Sequence, residues 1–252
     1  MLAGERREEI AQTIADQGRV TVAELVRRYG VTEDCIRKDL RLLAGQGRCQ
    51  RVYGGAIEAE PTSERDVISR LSVRTAEKQA MADKALKLIP DGSVIFLDIS
   101  STNVFLAEKL AKAGIACTVV SNMLDILKAL QHSPTVKAQG LPGIVDSEMG
   151  GLLGAQTLAA VNGINFDLAF IGARSVSLED DAVTTFEMDD GLVKHAAMDN
   201  AAESYVMAEQ GKFEASGIYV YGKFSEFTGV VSENALPQER RDQIAALGVQ
   251  LI

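Results

Sequence analysis

Five basic residues fall within one short stretch of the chain, in a pattern typical of a surface that binds nucleic acid. Between residues 35 and 57 the only acidic residue is Asp39. Arginine presents a planar fork that can donate two hydrogen bonds to guanine or to a phosphate, whereas lysine acts as a point charge. We therefore predict that this stretch contacts DNA, through Arg37, Lys38, Arg41, Arg48 and Arg51.

The net charge of the whole chain conceals this basic stretch. The 252 residues carry 26 Lys and Arg against 35 Asp and Glu, which gives a net charge of −9. Residues 1–57 hold ten of the basic and eight of the acidic residues, so their net charge is +2, and the remainder carries −11. An acidic body attached to a basic module favours DNA binding by the module alone.

A second group of polar residues follows two predicted strands. The apolar run 94–97 leads into a turn that contains Asp98, Ser100, Ser101 and Thr102. Hydroxyl and backbone N–H groups at the start of a helix can hold a phosphate, and Asp98 can accept hydrogen bonds from sugar hydroxyls. The alternative is that these residues only cap the helix. The equivalent positions after the next strand are occupied by Ser121 and Asn122.

A rigid frame must position the basic side chains. The sequence of the first 57 residues predicts such a frame, which consists of three helices and a hairpin at 48–57. The second helix begins at Thr21, where the spacing to Glu24 forms a capping box, and it ends at Gly30. Thr32 caps the third helix, and we predict that both threonines also contact DNA. Apolar residues on the third helix form one stripe that packs inward and leaves the basic face exposed, namely Ile36, Leu40 and Leu43. The alternative is a solvated helix face with incidental charge.

The rest of the chain predicts an α/β domain. Residues 58–72 are polar and contain a proline, which indicates a linker between a domain at 1–57 and a second domain at 73–252. In the second domain apolar strands alternate with helices, a pattern that favours a largely parallel, Rossmann-like sheet with helices on both faces. The predicted strands are 94–97, 118–120, 168–171, 205–208, 218–221 and 229–231, and the predicted helices include 75–88.

The composition is typical of a cytoplasmic protein. The three cysteines are odd in number and far apart, which argues against disulfides and for a reducing compartment. No apolar run is long enough to cross a membrane, and the first residues do not resemble a signal peptide. His132 and His195 have no companion residues at metal-ligand spacing. The glycines form no dinucleotide fingerprint, so we predict neither a metal nor a cofactor.

The sequence of the basic stretch resembles a known family. Residues 31–40 (VTEDCIRKDL) and 47–56 (GRCQRVYGGA) are similar to the winged helix-turn-helix signature of the DeoR family of bacterial transcriptional regulators. In that family the third helix usually reads threonine-isoleucine-arginine-arginine-aspartate-leucine. Cys35 and Lys38 replace its threonine and second arginine, and Asp39 is expected to cap a helix or to pair with a nearby arginine. The resemblance implies a double-stranded DNA operator, and paired half-sites imply a homodimer or homotetramer.

The remainder of the chain resembles the effector domain of the same family, which has the ribose-phosphate isomerase and CoA-transferase fold and binds phosphorylated sugars or related metabolites. The family's motif aspartate-x-glycine-threonine/serine-threonine matches residues 98–102, with Ser100 at the glycine. Residues 208–213 (AEQGKF) are similar to its alanine-aspartate-serine-serine-lysine-phenylalanine, which assigns Lys212 to the phosphate. Arg174 stands where an acidic or amide residue is usual and implies a more anionic effector. Further matching positions that the resemblance assigns to the effector site are Ser121, Asn122 and Lys194.

These patterns together predict a transcriptional regulator, a repressor of a sugar-utilisation operon that a phosphorylated sugar releases from DNA. An activator of the same architecture would have the same sequence features, because the sign of regulation depends on where the operator lies. The alternative from another class is a sugar-phosphate isomerase or lyase in which Asp98, Asp167 and Glu187 act as acid or base. The charge concentrated in residues 35–57 favours the regulator, since an isomerase does not need it.

Overall fold

The structure of the protein is a computed structural model that describes residues 3–45, 48–52, 54–57, 67–233 and 236–252. Contacts between residues divide the chain into two compact units, 1–64 and 65–252. The domain limits 1–57 and 73–252 stay a prediction. Residues 58–66 of the predicted linker lie outside the described residues, and its remainder contains a short helix in which Val67 is fully buried.

The first unit combines helices with a small antiparallel sheet in which β3 lies between β1 and β2. The strand β1 was not predicted, because three residues carry no periodicity and only the pairing with β3 identifies them. Through this pairing the hairpin of β2 and β3 is fastened to the helices. Among its described residues the elements are α1 (Ala3–Gln17), β1 (Arg19–Thr21), α2 (Val22–Tyr29), α3 (Glu33–Gly45), β2 (Gln50–Val52) and β3 (Gly55–Ile57).

Local sequence signals set the ends of the helices in the first unit. The Thr21 hydroxyl accepts a hydrogen bond from the Glu24 amide at 3.2 Å, and the Glu24 carboxylate accepts one from the Thr21 amide at 3.0 Å. This confirms the predicted capping box. Gly30 ends α2 in the left-handed conformation, with φ of 64°. The predicted apolar stripe of α3 is confirmed as well, since Ile36, Leu40 and Leu43 are all buried.

The second unit is an α/β domain, as predicted. Among its described residues the helices are α4 (Val67–Leu71), α5 (Thr75–Leu86), α6 (Ser101–Ala113), α7 (Leu124–Leu130), α8 (Ala155–Val161), α9 (Met188–Asp199) and α10 (Gln238–Ala246). The strands are β4 (Val94–Leu97), β5 (Cys117–Ser121), β6 (Val136–Gly140), β7 (Ile144–Asp146), β8 (Gly151–Leu153), β9 (Phe166–Gly172), β10 (Ser175–Ser177), β11 (Ala182–Thr185), β12 (Ala201–Met207), β13 (Tyr219–Gly222), β14 (Gly229–Val231) and β15 (Gln250–Leu251).

Within the described residues, seven strands of the second unit form a parallel sheet in the order β15-β14-β12-β9-β4-β5-β6. The predicted strand at 218–221 is not part of it. As β13, it pairs antiparallel with β11 in a separate three-stranded sheet. The carboxyl ends of the parallel strands share one edge, where the turns after β4, β5, β9 and β12 meet. The described residues contain no helix both long and apolar enough to cross a membrane.

Candidate functional site

The outer face of α3 presents the basic residues that the sequence predicts. Lys38 and Arg41 are exposed, and neither forms an ion pair or hydrogen bond within the described residues. Arg37 is also exposed, but its guanidinium lies 2.8 Å from the Glu33 carboxylate and 4.0 Å from that of Asp34. A DNA phosphate or base would therefore compete with those carboxylates for Arg37, whereas Lys38 and Arg41 can bind without breaking an existing pair.

The other predicted DNA contacts surround α3. Arg48 is exposed and pairs with Glu8 of α1 at 2.6 Å, which lowers the pKa of that carboxyl. The backbone of Arg51 lies in β2, and its side chain is outside the described part. The exposed Thr21 and Thr32 cap their helices, the latter accepting a hydrogen bond from the Cys35 amide at 3.3 Å.

A buried ion pair joins α3 to α1 behind the basic face. The Arg6 guanidinium donates to the Asp39 carboxylate at 2.7 Å, and both residues are buried. Asp39 thereby has the pairing role expected of it. The hydrogen bond to Asp39 raises the pKa of Arg6 above its ordinary value. Since Asp39 is three residues from Ile36 on α3, this pair fixes the rotation of α3 and so the direction of its basic face.

We expect the substitution Asp39→Ala to destabilise the first unit by about 1–3 kcal/mol, because it leaves the buried Arg6 without its carboxylate partner. Thermal unfolding, monitored by circular dichroism, measures this loss of stability. Glu33→Ala is the matched control, because its ion pair with Arg37 is exposed and exposed pairs contribute about 0–1 kcal/mol. If Asp39→Ala melted like the control, the ion pair would not position α3.

The polar turn after β4 forms the start of α6 at the carboxyl edge of the sheet. Ser100, Ser101 and Thr102 are buried, with an exposed fraction of only 5–6 % each. Their hydroxyls nevertheless form no hydrogen bond within the described residues. Ser100 occupies the N-cap position without making a side-chain cap. The capping alternative therefore does not account for these hydroxyls. Beside them, Gly172 approaches so closely that a Cβ there would lie 2.6 Å from the Ser100 Cβ.

Asp98 and Lys194 lie beneath this turn, in a fully buried charge cluster. One Asp98 oxygen accepts from the Asn103 amide at 2.7 Å, and the other accepts from the Gly172 amide at 2.8 Å and from Lys194. The Lys194 ammonium also lies 3.3 Å from Asp190. Every Asp98 oxygen thus has a partner inside the protein, which makes Asp98 a residue that holds α6 and α9 together.

Burial and neighbouring charges shift the pKa values of Lys194, Asp190 and Tyr221. Burial acts to lower the pKa of Lys194, but the nearby Asp190 and Asp98 carboxylates outweigh it and raise that pKa. Lys194 is therefore charged at neutral pH. Burial raises the pKa of Asp190, whose carboxylate also accepts from the Thr185 hydroxyl at 2.5 Å. The phenol of Tyr221, whose pKa burial raises well above its ordinary value, closes the cluster by donating to the Gly172 carbonyl at 3.0 Å.

Ser121 and Asn122 follow β5 at the same edge, and both are completely buried. The Ser121 hydroxyl accepts from the Met123 amide at 3.0 Å, and the Asn122 amide donates to the Leu152 carbonyl at 3.1 Å. The side-chain oxygen of Asn122 is buried without a hydrogen-bond partner in the described residues. That oxygen is the atom of this turn that a bound hydroxyl group could satisfy.

Lys212 is one of five cations that cluster at this edge, and sequence reasoning found only two of them, Lys212 and Arg174. Burial, with nearby cations, lowers the pKa of Lys212 to about 8, and burial likewise lowers that of Lys78 to about 8. The acidic residue that acts on both is Glu209. The missed members come from α4, from the turn before α5 and from α5 itself, and the cluster consists of Arg70, Arg74, Lys78, Arg174 and Lys212.

Comparison with known families matches almost the whole chain. The model of the DeoR-like helix-turn-helix domain matches residues 6–62, and the model of the DeoR C terminal sensor domain matches residues 73–234. These two matches cover most of each unit.

Curated relatives match over nearly their full length. The chain is 25% identical over 253 residues to the HTH-type transcriptional regulator GlpR of Haloferax volcanii, covering 100% of this chain and 98% of that protein. It is 27% identical over 251 residues to the putative aga operon transcriptional repressor of Escherichia coli O157:H7, covering 98% and 93%. It is 26% identical over 233 residues to the glycerol-3-phosphate regulon repressor of Escherichia coli, covering 92% of each.

Solved structures align with this chain at low sequence identity. The translation initiation factor eIF-2B of Pyrococcus horikoshii aligns with a TM-score of 0.50 at 17% identity, over 95% of this chain and 91% of that chain. Ribose 5-phosphate isomerase of Methanocaldococcus jannaschii aligns with a TM-score of 0.40 at 18% identity, over 54% of this chain and 53% of that chain. The likeness to the initiation factor shows the fold alone.

Proposed function

Because the chain belongs to the DeoR family of transcriptional regulators, we propose that it represses a sugar-utilisation operon and that a phosphorylated sugar releases it from DNA. Relatives over nearly the whole chain are named as repressors of an aga operon and of a glycerol-3-phosphate regulon. The observation that carries the proposal is the exposed basic face of α3, fixed by a buried stripe and a buried ion pair on its other side.

In the proposed complex α3 lies in the major groove, which admits one helix. Arg41 and Arg37 contact base edges or flanking phosphates through their guanidinium forks, and Lys38 contacts a phosphate. The hydroxyls of the two cap threonines and the guanidinium groups of the hairpin arginines bind the DNA backbone on either side of that groove. The residues given this second role are Thr21, Thr32, Arg48 and Arg51. Paired half-sites place two copies on one operator, so we propose a homodimer or a multiple of it.

The effector site in this proposal is the carboxyl edge of the parallel sheet. Ser100, Ser101 and Thr102 offer hydroxyls and helix N–H groups to a phosphate, and Lys212, two strands away in the order β4-β9-β12, offers a positive charge. The remaining predicted residues have different parts. Asn122 has the unpartnered oxygen for a sugar hydroxyl, Arg174 belongs to the cation cluster, and those that position the site from beneath are Asp98, Ser121 and Lys194.

The arrangement of carboxylates supports a binding role over catalysis. Asp98 is enclosed by its partners at the carboxyl end of β4, while Asp167 accepts from the Val94 amide at 2.7 Å, at the start of that strand. The two groups thus lie at opposite edges of the sheet, and a pair of acid and base would need to meet at one substrate. Repression and release require only two conformations of the protein, one with high and one with low affinity for DNA. The effector must bind the conformation with low DNA affinity more tightly than it binds the other conformation.

The substitution Lys212→Ala is expected to raise the concentration of phosphorylated sugar needed for release by about tenfold or more, while operator affinity without effector stays unchanged. A charge-assisted hydrogen bond to phosphate contributes about 1.5–3 kcal/mol. Fluorescence anisotropy of labelled operator measures both quantities. Lys112→Ala is the matched control, because it removes an exposed charge from the last turn of α6, at the far end of that helix. A full response by the Lys212 variant would contradict the site.

Effector affinity is expected to fall as the pH rises above about 8. The pKa of Lys212 and that of Lys78 are about 8, because burial and neighbouring cations disfavour the charged ammonium groups. A bound anion favours the charged form of each lysine, so binding takes up protons when the pH is above the pKa of about 8. Effector affinity then weakens by up to about tenfold per pH unit for each lysine involved. Titrations at pH 7, 8 and 9 test this. An affinity that is constant across this range would show that neither lysine faces the ligand.

A further inference from the structure

The segment at residues 67–74 is the first described part of the second unit along the chain, and it consists of α4 and the turn before α5. Val67, at its start, is fully buried. The ammonium of Lys78, one turn into α5, donates to the carbonyls of Arg70 and of Val73, the latter at 2.8 Å. These contacts fix the path of the backbone from α4 into α5.

One ion pair ties the end of this segment to the loop after β12. The Arg74 guanidinium lies 3.1 Å from the Glu209 carboxylate, and 48 % of the Arg74 side chain is exposed against 10 % of the Glu209 side chain. The carbonyl of Glu209 accepts a hydrogen bond from the amide of Lys212 at 2.9 Å. The partner of Arg74 therefore lies in the same turn as the lysine proposed to bind the phosphate of the effector.

The Arg74 side chain fits this position closely. Arg74 has left-handed backbone angles, with φ of 51°, directly before α5. Such a conformation is strained in a residue other than glycine and persists where the surroundings enforce it. A Cβ at position 211 would lie 2.1 Å from the terminal nitrogen Nη1 of Arg74, so Gly211 provides the space for the guanidinium. Loss of the ion pair would remove one of the contacts that maintain the strained turn.

Glu209 interacts with the cations that a bound phosphate would attract. Burial lowers the pKa values of Lys78 and Lys212, and the Glu209 carboxylate is the acidic group that counteracts this effect in both. One of its oxygens is buried without a hydrogen-bond partner in the described residues. Two anions beside one ammonium group repel each other, and strongly so where water is largely excluded. A phosphate at Lys212 therefore repels the Glu209 carboxylate and attracts the half-exposed guanidinium of Arg74.

We propose that the ion pair of Arg74 and Glu209 is a latch that the effector opens, because the bound phosphate takes the place of the Glu209 carboxylate as the partner of Arg74 and frees the turn between α4 and α5. This proposal rests on the proposed effector site at Lys212. Under the proposed function the form without effector binds DNA, so the closed latch belongs to the conformation with high DNA affinity. Competition between effector and latch supplies the difference in effector affinity between the two conformations that release requires.

Equilibrium dialysis with labelled inorganic phosphate tests the competition without knowledge of the sugar. Glu209→Gln keeps the size of the side chain but removes its charge, so the full-length variant should bind phosphate about threefold or more tightly than the wild type does. Glu108→Gln is the matched control, because it removes an exposed carboxylate of α6 that has no ion pair in the described residues. Equal or weaker binding by Glu209→Gln would overturn the latch. If neither the wild type nor Glu209→Gln binds phosphate, the proposed effector site falls, and the latch falls with it.

Hydrogen exchange tests whether phosphate opens the turn. The amides of Val73 and Lys78 donate to the carbonyls of Arg70 and Arg74, at 3.3 Å and 3.2 Å. These hydrogen bonds break more often once the turn is freed, so the amides exchange faster. Mass spectrometry of the peptide 67–78 should show exchange that is about threefold or more faster when the wild type is saturated with phosphate.

Three variants should exchange at the faster rate without phosphate, and phosphate should change that rate little. Glu209→Gln and Arg74→Gln each remove one partner of the latch. Gly211→Ala displaces the Arg74 guanidinium and leaves every charge in place. All three should also bind the operator about threefold or more weakly in the absence of effector, whereas Glu108→Gln should behave like the wild type in both measurements.

A Glu209 carboxylate that only repels phosphate would change phosphate affinity and leave this exchange unaffected. Exchange of the wild type that phosphate leaves unchanged or slows would therefore overturn the latch, as would slow exchange in all three variants. Either result would leave the proposed function standing, because the response of Lys212→Ala to phosphorylated sugars tests the effector site separately.

Discussion

Replacing Arg41 with alanine is expected to lower operator affinity by about tenfold or more without changing the stability of the protein. A guanidinium that contacts a base edge contributes about 1–3 kcal/mol, and a dimer on two half-sites loses that contribution twice. Arg41 is exposed on α3 and has no ion pair or hydrogen bond within the described residues, so its removal breaks no contact there. Fluorescence anisotropy of labelled operator DNA at two salt concentrations measures the effect.

Two further variants separate the contributions to DNA binding. Arg41→Lys keeps the charge but loses the fork, so it should retain affinity for non-specific DNA while losing preference for the operator. Arg37→Ala should weaken binding less than Arg41→Ala does, because Arg37 must first leave Glu33, 2.8 Å away. If the Arg41→Ala variant is folded and binds the operator as tightly as the wild type does, the DNA-binding surface lies elsewhere.

Replacing Lys194 with methionine is expected to destabilise the second unit by about 3–5 kcal/mol. The substitution leaves Asp98 and Asp190, both fully buried, without the cation that they share. Breaking a buried ion pair by removing one partner costs this much because the remaining charge stays desolvated. The loss should shrink from pH 8 to pH 5, because burial raises the pKa of Asp190 in the folded state, and such a carboxyl group destabilises the folded state only where it is ionised.

Thermal and urea unfolding at both pH values measure this loss. Lys109→Met is the matched control, because its ion pair with Asp83 at 2.6 Å lies at the surface and should contribute about 1 kcal/mol or less. The double variant Lys194→Met with Asp190→Asn should recover part of the stability by removing one uncompensated charge. If Lys194→Met unfolded like the wild type, the buried cluster would not hold α6 and α9 in place.

Sequence reasoning succeeded where a signal is local. The stripe Ile36, Leu40 and Leu43 and the capping box at Thr21 are defined within one helical element, and both are confirmed by burial and hydrogen bonds. The run 94–97 is apolar throughout because parallel strands are covered on both faces, and its limits match those of β4. Such signals do not depend on which distant segment lies next to them.

Contacts between distant segments were not predictable in this way. The strand β6 (Val136–Gly140) is mostly exposed at the edge of the sheet, so it lacks the apolar run that reveals a central strand. Asp98 was predicted to face a sugar hydroxyl, but its carboxylate is occupied by Lys194, which lies 96 residues away in the sequence. Lys194 and Arg174 are identified only through the resemblance, while Arg70 lies in the predicted linker 58–72 and Arg74 lies directly before the predicted helix 75–88.

One titration decides whether a phosphorylated sugar controls DNA binding by this protein. Purified full-length protein is bound to labelled DNA from upstream of its own gene, and sugars are then added with and without a phosphate group, at two salt concentrations. We expect specific binding that at least one phosphorylated sugar reverses and that the unphosphorylated sugars leave intact. A specific complex that none of the phosphorylated sugars releases would contradict it.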